Sequence, residues 1–176
     1  DGSQIPMIIK RINELQKDSK VIAVFSAPLT MYNGKQRSLT DIALEIGQKA
    51  EKGENIGLDG IRKPYQKILQ LIDKKYQDEC NSIIESFLGK ATLSLSETIE
   101  KREFANETRS RFLADTGEVL MSHVMNYVLK SGQIKSSVVG FDIWPIITDK
   151  NIESANFLAS QSAQNMEGIE RLVEQN

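Results

Sequence analysis

The chain has 176 residues, 40% hydrophobic and 26% charged, with 22 basic against 24 acidic side chains and a formal net charge of -2. This is an ordinary globular balance with enough length for one core, and it gives intrinsic disorder, a nucleic-acid surface or a basic membrane surface no support. One cysteine, Cys80, and one histidine, His123, exclude an internal disulfide and make a Cys/His zinc site or a Ser-His triad hard to build.

No run approaches the roughly 20 apolar residues of a membrane span, and the opening "DGSQIPMIIKR" lacks a signal-peptide pattern, so a soluble, cytoplasmic protein is expected. In chain order, Ile5, Ile8, Ile9, Ile12 and Leu15 recur at helical spacing and predict a first helix over 4–17. "KVIAVFSAP" (20–28) is a continuous run rich in valine and isoleucine without alternation, the pattern of a strand covered on both faces, and Pro28 ends it. "LTMYNGKQRS" reads as a polar loop with an Asn33-Gly34 turn, after which Ser38 caps a helix running to about Lys52.

From Leu58 to Leu88 the pattern stays helical, with Ile61, Tyr65, Ile68, Leu69, Ile72 and Tyr76 on one face and Pro64 expected in the first turn, where its missing N–H costs nothing. This stripe is richer in apolar residues than a solvent-facing helix needs and suggests a homodimer contact. A further helix is expected over Leu93–Phe104. Polar, unstructured residues are then expected up to Gly117, where a helix opens and runs to a C-cap at Gly132. "IKSSVVGFDI" (134–143) reads as a second buried strand, "PIITD" (145–149) as a short third one, and 151–175 as a final helix. Strands joined by helical connections predict an α/β fold, a helix-rich three-layer αβα arrangement on a mostly parallel sheet.

Ligands of open parallel sheets bind beyond the carboxyl ends of the strands. That rule selects "FSAP" with Ser26, "SLTD" with Thr40, and the "DTGEVLMS" turn with Gly117 and Glu118. Taken singly, Ser26 and Thr40 read as caps, and Glu118 as a carboxylate favoured by the helix dipole.

Taken together, "VIAVFSAP", "LTDIAL", "GEVLMS" and "VVGFDIWPIITDKNIESA" occur in the order and approximate spacing of aspartate kinases of the amino acid kinase superfamily, which the chain resembles over nearly its whole length. The Gly-Glu element is the most discriminating part. The resemblance implies transfer of the γ-phosphoryl of ATP, with Mg2+, to the β-carboxylate of L-aspartate by direct in-line attack, in aspartate-family amino acid biosynthesis. It implies that Ser26 lies near the transferred phosphoryl and the aspartate, that Thr40 contacts the substrate's carboxylate side, and that Glu118 meets its ammonium. A charge-assisted hydrogen bond makes physical sense of the last role, and Ser122, one turn on, is placed to hold the Glu118 carboxylate. Gly117, Asp142, Thr148 and Asp149 are expected to shape the site.

Three departures bear on specificity: Trp144 stands where the family commonly has arginine, Ile152-Glu153 replace Phe-Gly, and ten residues enlarge the gap between Ser26 and Thr40. No Gly-x-Gly-x-x-Gly or Walker-type cradle occurs. The family's first lysine motif is expected before Asp1 and its nucleotide-binding half after Asn176. The chain thus reads as the amino-terminal, substrate-side lobe of the kinase domain, binding the amino acid but not turning over ATP alone. A non-catalytic α/β interaction domain on the same scaffold, and a kinase for another small acid, stand as alternatives.

Overall fold

The computed structural model describes residues 2–140, 144, 146–151 and 154–175. Helix α1 (Ile5–Leu15) leads through an irregular segment to a hairpin of β1 (Leu29–Tyr32) and β2 (Lys35–Ser38). Five helices follow: α2 (Leu39–Glu51), α3 (Asp59–Leu69), α4 (Lys74–Lys101), α5 (Asn106–Thr116) and α6 (Glu118–Ser131), with α7 (Ala159–Gln175) closing the described chain.

The core lies among α2 to α6. Each contributes one apolar stripe, and Leu39, Ile42, Ile61, Tyr65, Ile84, Phe112 and Val124 are fully buried there. The 28-residue α4 is the spine, touching α2, α3, α5 and α6. Its end is fixed by chemistry: Arg102 turns into the left-handed region (φ 54°) and its Nη1 donates to the Lys52 carbonyl at 2.6 Å, closing the last turn of α2. A smaller cluster of Ile12, Leu129 and Ile134 fastens α1 against the end of α6.

Several expectations hold. Helix α1 lies within its predicted span, and Ser38 is the α2 N-cap, its Oγ accepting from the Asp41 N–H at 3.1 Å. The Asn33-Gly34 turn is present, with positive φ at both residues (50° and 75°), the type I′ geometry that matches strand twist. What it joins differs from the polar loop expected. Leu29–Ser38 is an antiparallel hairpin in the register Leu29↔Ser38 to Tyr32↔Lys35, held on α2 by Arg37, whose guanidinium meets Glu45 at 2.5 Å.

Other boundaries move. The 58–88 segment breaks at residues 70–73, and the second helix runs on to Lys101 without a stop before Leu93. Pro64 sits inside α3 beyond its first turn, so one i→i−4 bond is forfeited. The stretch before Gly117 is helix α5, missed because its polar surface dilutes the apolar period to Thr108, Phe112 and Thr116. Helix α7 begins at Ala159, not at 151. The apolar stripe read as a dimer contact is core: Ile61, Tyr65, Ile68 and Ile72 are all buried within the chain.

The molecule is helix-rich, with its only ladder among the described residues being the hairpin. Segments 20–28 and 134–140 carry no strand pairing, and the 145–149 region contributes one antiparallel bridge, Thr148↔Phe157. No helix among the described residues is long and apolar enough to cross a membrane.

Ser38→Ala removes the α2 cap and leaves the Asp41 N–H without its partner; a loss of about 1 kcal/mol in urea unfolding is expected, and an unchanged midpoint would show the cap to be idle.

Candidate functional site

Three of the sequence-selected pieces meet at one place. The loop 26–28 approaches the α5–α6 junction, where Ala27 Cβ lies 3.5 Å from the position a Cβ would take on Gly117. Its next residue, Pro28, accepts the Leu39 N–H on its carbonyl at 3.0 Å, so the same loop is tied to the first turn of α2, which carries Thr40. Ser26 and Glu118 are exposed, and Thr40 is half-buried. None of these three side chains is engaged in a hydrogen bond or ion pair among the described residues.

The Gly117 turn is tight for a stated reason. Helices α5 and α6 are separated by this one residue, whose N–H donates to the Leu113 carbonyl at 2.9 Å and whose carbonyl accepts from Met121 N–H at 2.9 Å. A Cβ there would stand 2.8 Å from the Leu113 oxygen, a backbone atom that cannot swing away. Only glycine lets α5 end and α6 begin so closely. Glu118 is then the first residue of α6, where its charge faces the positive end of the helix dipole.

A residue that the sequence assigned only to an apolar stripe completes the junction. Tyr65, fully buried on α3, directs its hydroxyl at the carbonyls of Thr116 (2.9 Å) and Gly117 (3.0 Å). Burial, and secondarily the nearby Glu118 carboxylate, hold its phenol above the ordinary value. The signal was available: a tyrosine at a core position brings a hydroxyl that needs a partner, which phenylalanine does not.

The other candidates sort differently. Ser122 does not hold the Glu118 carboxylate; its Oγ donates back to the Glu118 backbone carbonyl at 2.9 Å, the usual alternative for a serine inside a helix. Asp149 makes local bonds, accepting from Asn151 N–H (3.1 Å), Asn156 N–H (3.2 Å) and Asn156 Nδ2 (2.6 Å). With Thr148 bridged to Phe157, it staples the 148–157 loop. Asp142 lies outside the described residues.

Cys80 is buried, with its thiol pushed up to about 11 by burial, which leaves it unreactive. His123 packs against Phe87, ring centroids 5.0 Å apart and planes tilted by 48°, and burial lowers its pKa. Among the described residues no three His, Cys, Asp or Glu side chains are grouped to hold a metal ion.

A cavity of about 780 Å³ lies elsewhere, bounded by α1, α6, α7 and the segments 18–25 and 133–139. Ile22, Phe25, Val138 and Ile169 line it, and of the described candidate residues only Ser122 reaches it. Compared with protein-family models, with curated proteins and with solved structures, the chain finds no match.

Gly117→Ala should cost about 1–3 kcal/mol in urea unfolding through the forced contact. Gly89→Ala, on α4 with nothing within 4 Å of its new methyl, should gain about 0.5–1 kcal/mol; equal effects at the two sites would sink the close-approach explanation. A second prediction concerns Asp149, whose carboxyl is held below its ordinary value chiefly by Asn156. A depressed folded-state pKa stabilises fully above the unfolded value and fades as pH falls through the folded one. The stability difference between wild type and Asp149→Asn should therefore be present near neutrality and vanish in acid, measured by unfolding across pH.

Proposed function

We propose that this chain is the amino-acid-binding part of an aspartate kinase, the enzyme that phosphorylates the β-carboxylate of L-aspartate with ATP at the entry to the aspartate-derived amino acids. One observation carries the reading. Ser26, Thr40 and Glu118, chosen from motifs spread over 93 positions of sequence (26 to 118, inclusive), belong to three segments joined by the Ala27–Gly117 approach and the Leu39–Pro28 hydrogen bond.

The chemistry of the ligand fits these groups. An α-amino acid brings an ammonium, for which the unpaired, exposed Glu118 carboxylate at a helix mouth is a fixed anion. It also brings two carboxylates, for which the hydroxyls of Ser26 and Thr40 are donors. The roles are to orient the acceptor and to keep its ammonium away from the reacting end.

ATP and Mg2+ are a poorer fit to the residues present. The chain has no glycine-rich phosphate cradle, and among the described residues no three His, Cys, Asp or Glu side chains are grouped to hold a metal ion. No step of phosphoryl transfer is assigned to these side chains; in this reading the nucleotide contacts come from the rest of the kinase domain. The finer architecture is part of the same proposal. Segments 20–25 and 134–139, both rich in β-branched residues and both lining the 780 Å³ cavity, are read as strands of a mostly parallel sheet.

A second reading is favoured by the surface of segment 20–25, where Ile22 is 63% and Val24 83% exposed. Such a surface suits a non-catalytic module that binds through this segment.

Calorimetric titration with L-aspartate and with succinate separates these readings, because succinate keeps both carboxylates and lacks the ammonium. Wild type should prefer L-aspartate, and Glu118→Ala should erase that preference through loss of a charged hydrogen bond worth about 1.5–3 kcal/mol, or about ten- to a hundredfold in Kd. Equal binding of L-aspartate by wild type and Glu118→Ala removes the role given to Glu118, and no binding of either acid favours the interaction module.

A further inference from the structure

The hydroxyl of Tyr65 has a narrower job than filling the core. A phenylalanine at this position on α3 would bury the same ring. The oxygen's partners are the carbonyls of the two residues that immediately precede Glu118, 51 and 52 positions away in sequence. Those carbonyls differ in kind. Thr116 is the last residue of α5, so its carbonyl belongs to the set that a helix C-terminus leaves without an intrahelical donor. The Gly117 carbonyl already accepts from Met121 N–H and opens the hydrogen-bond ladder of α6.

One phenol proton shared between them clamps the end of one helix to the start of the next. The clamp is stiff because its base is stiff: Tyr65 is fully buried on a helix whose Ile61 and Ile68 are packed into the same core. Ala27 also packs against the junction. Glu118, the next residue along, has no bond of its own to set its direction.

We propose that Tyr65 is a positioning residue for Glu118: its hydroxyl, through the carbonyls of Thr116 and Gly117, fixes the direction in which the first turn of α6 presents the Glu118 carboxylate beside the 26–28 loop. This rests on the reading of Glu118 as the partner of the substrate ammonium. Tyr65 itself touches no ligand, and its effect is transmitted through backbone.

The test is Tyr65→Phe, alone and combined with Glu118→Ala, read in two independent ways. The first is amide hydrogen exchange. Exchange across 117–121 should rise about tenfold while amides of α2 and α4 keep their protection, a local effect that a general loss of stability would not produce. The second is the preference for L-aspartate over succinate. It should fall about tenfold in Tyr65→Phe, and the double variant should be no worse than Glu118→Ala, because the two changes remove one interaction.

Unchanged exchange at 117–121, or a loss of preference that simply adds to that of Glu118→Ala, overturns the proposal. If wild type shows no preference for L-aspartate, the reading of Glu118 fails, and the exchange measurement alone decides whether Tyr65 holds the turn. Should Tyr65→Phe not fold, 3-fluorotyrosine incorporated at position 65 supplies the readout. Its 19F resonance should move when L-aspartate is added to otherwise wild-type protein and stay still in Glu118→Ala; a resonance indifferent to L-aspartate counts against the coupling.

Discussion

The close approach at Gly117 is the constraint on which the arrangement depends. A helix normally leaves four carbonyls without partners at its end and the next leaves four N–H groups at its start, and a connecting loop usually lets side chains and water satisfy them. Here one residue does the connecting. Its N–H serves α5 and its carbonyl serves α6, while Tyr65 reaches in from α3 to serve the same junction. Ala27, small enough to sit against a residue without a Cβ, brings the 26–28 loop to the same point, and the Pro28 carbonyl then anchors the first turn of α2. Enlarging either Gly117 or Ala27 would move the loop, and the hairpin and α2 would move with it.

Surface acids on the helices divide into paired and unpaired ones. Glu45 is met by Arg37 and Lys49, Glu85 by Arg62, and Glu97 by Lys101 and Arg111. These exposed pairs are worth at most about 1 kcal/mol each and serve mainly to hold elements in register. Glu118 has no such partner, and its stabilisation by the α6 dipole is the only intramolecular reason for a carboxylate there. A small cationic group arriving at this helix mouth therefore meets a charge that does not have to be released from a competing ion pair.

What the sequence discloses follows from how local each signal is. The Ser38 cap, the Asn33-Gly34 turn and α1 depend on neighbours within four residues, and all three are where the sequence places them. Helix α5 was hidden because its buried face is narrow and includes two threonines, so the apolar period that marks a helix is weak there. The break at 70–73 was hidden for the opposite reason: apolar residues continue through it, with Leu71 exposed and Ile72 buried, and periodicity alone cannot see a change of axis. Of the candidate site, the motif residues Ser26, Thr40 and Glu118 were legible as types in an order. The contact between Ala27 and Gly117 and the reach of Tyr65 were not, because both span more than 50 residues. Ser122 shows the cost of reasoning from helix spacing: the i, i+4 relation to Glu118 is right, but the backbone carbonyl, always in reach, takes the hydroxyl before the carboxylate can.

Segments 20–25 and 134–139 pose the remaining question, since their composition asks for a sheet and their backbone has no ladder. Strand propensity is largely the fit of a residue to a pleated, half-buried surface, so it expresses itself only where neighbouring strands supply that surface. The hairpin illustrates the converse. Leu29–Ser38 is polar in sequence, yet it pairs because its turn fixes the two chains in register at a separation of two residues. The valine-rich segments have no such local device; parallel pairing requires a crossover and the packing of both faces. Exposed Ile22 and Val24 beside a cavity of about 780 Å³ are what such a segment looks like when its composition is that of a covered strand and its surroundings are not. The site residues at its far end are insulated from this, because Ala27 and Pro28 are fixed by Gly117 and Leu39 rather than by strand pairing.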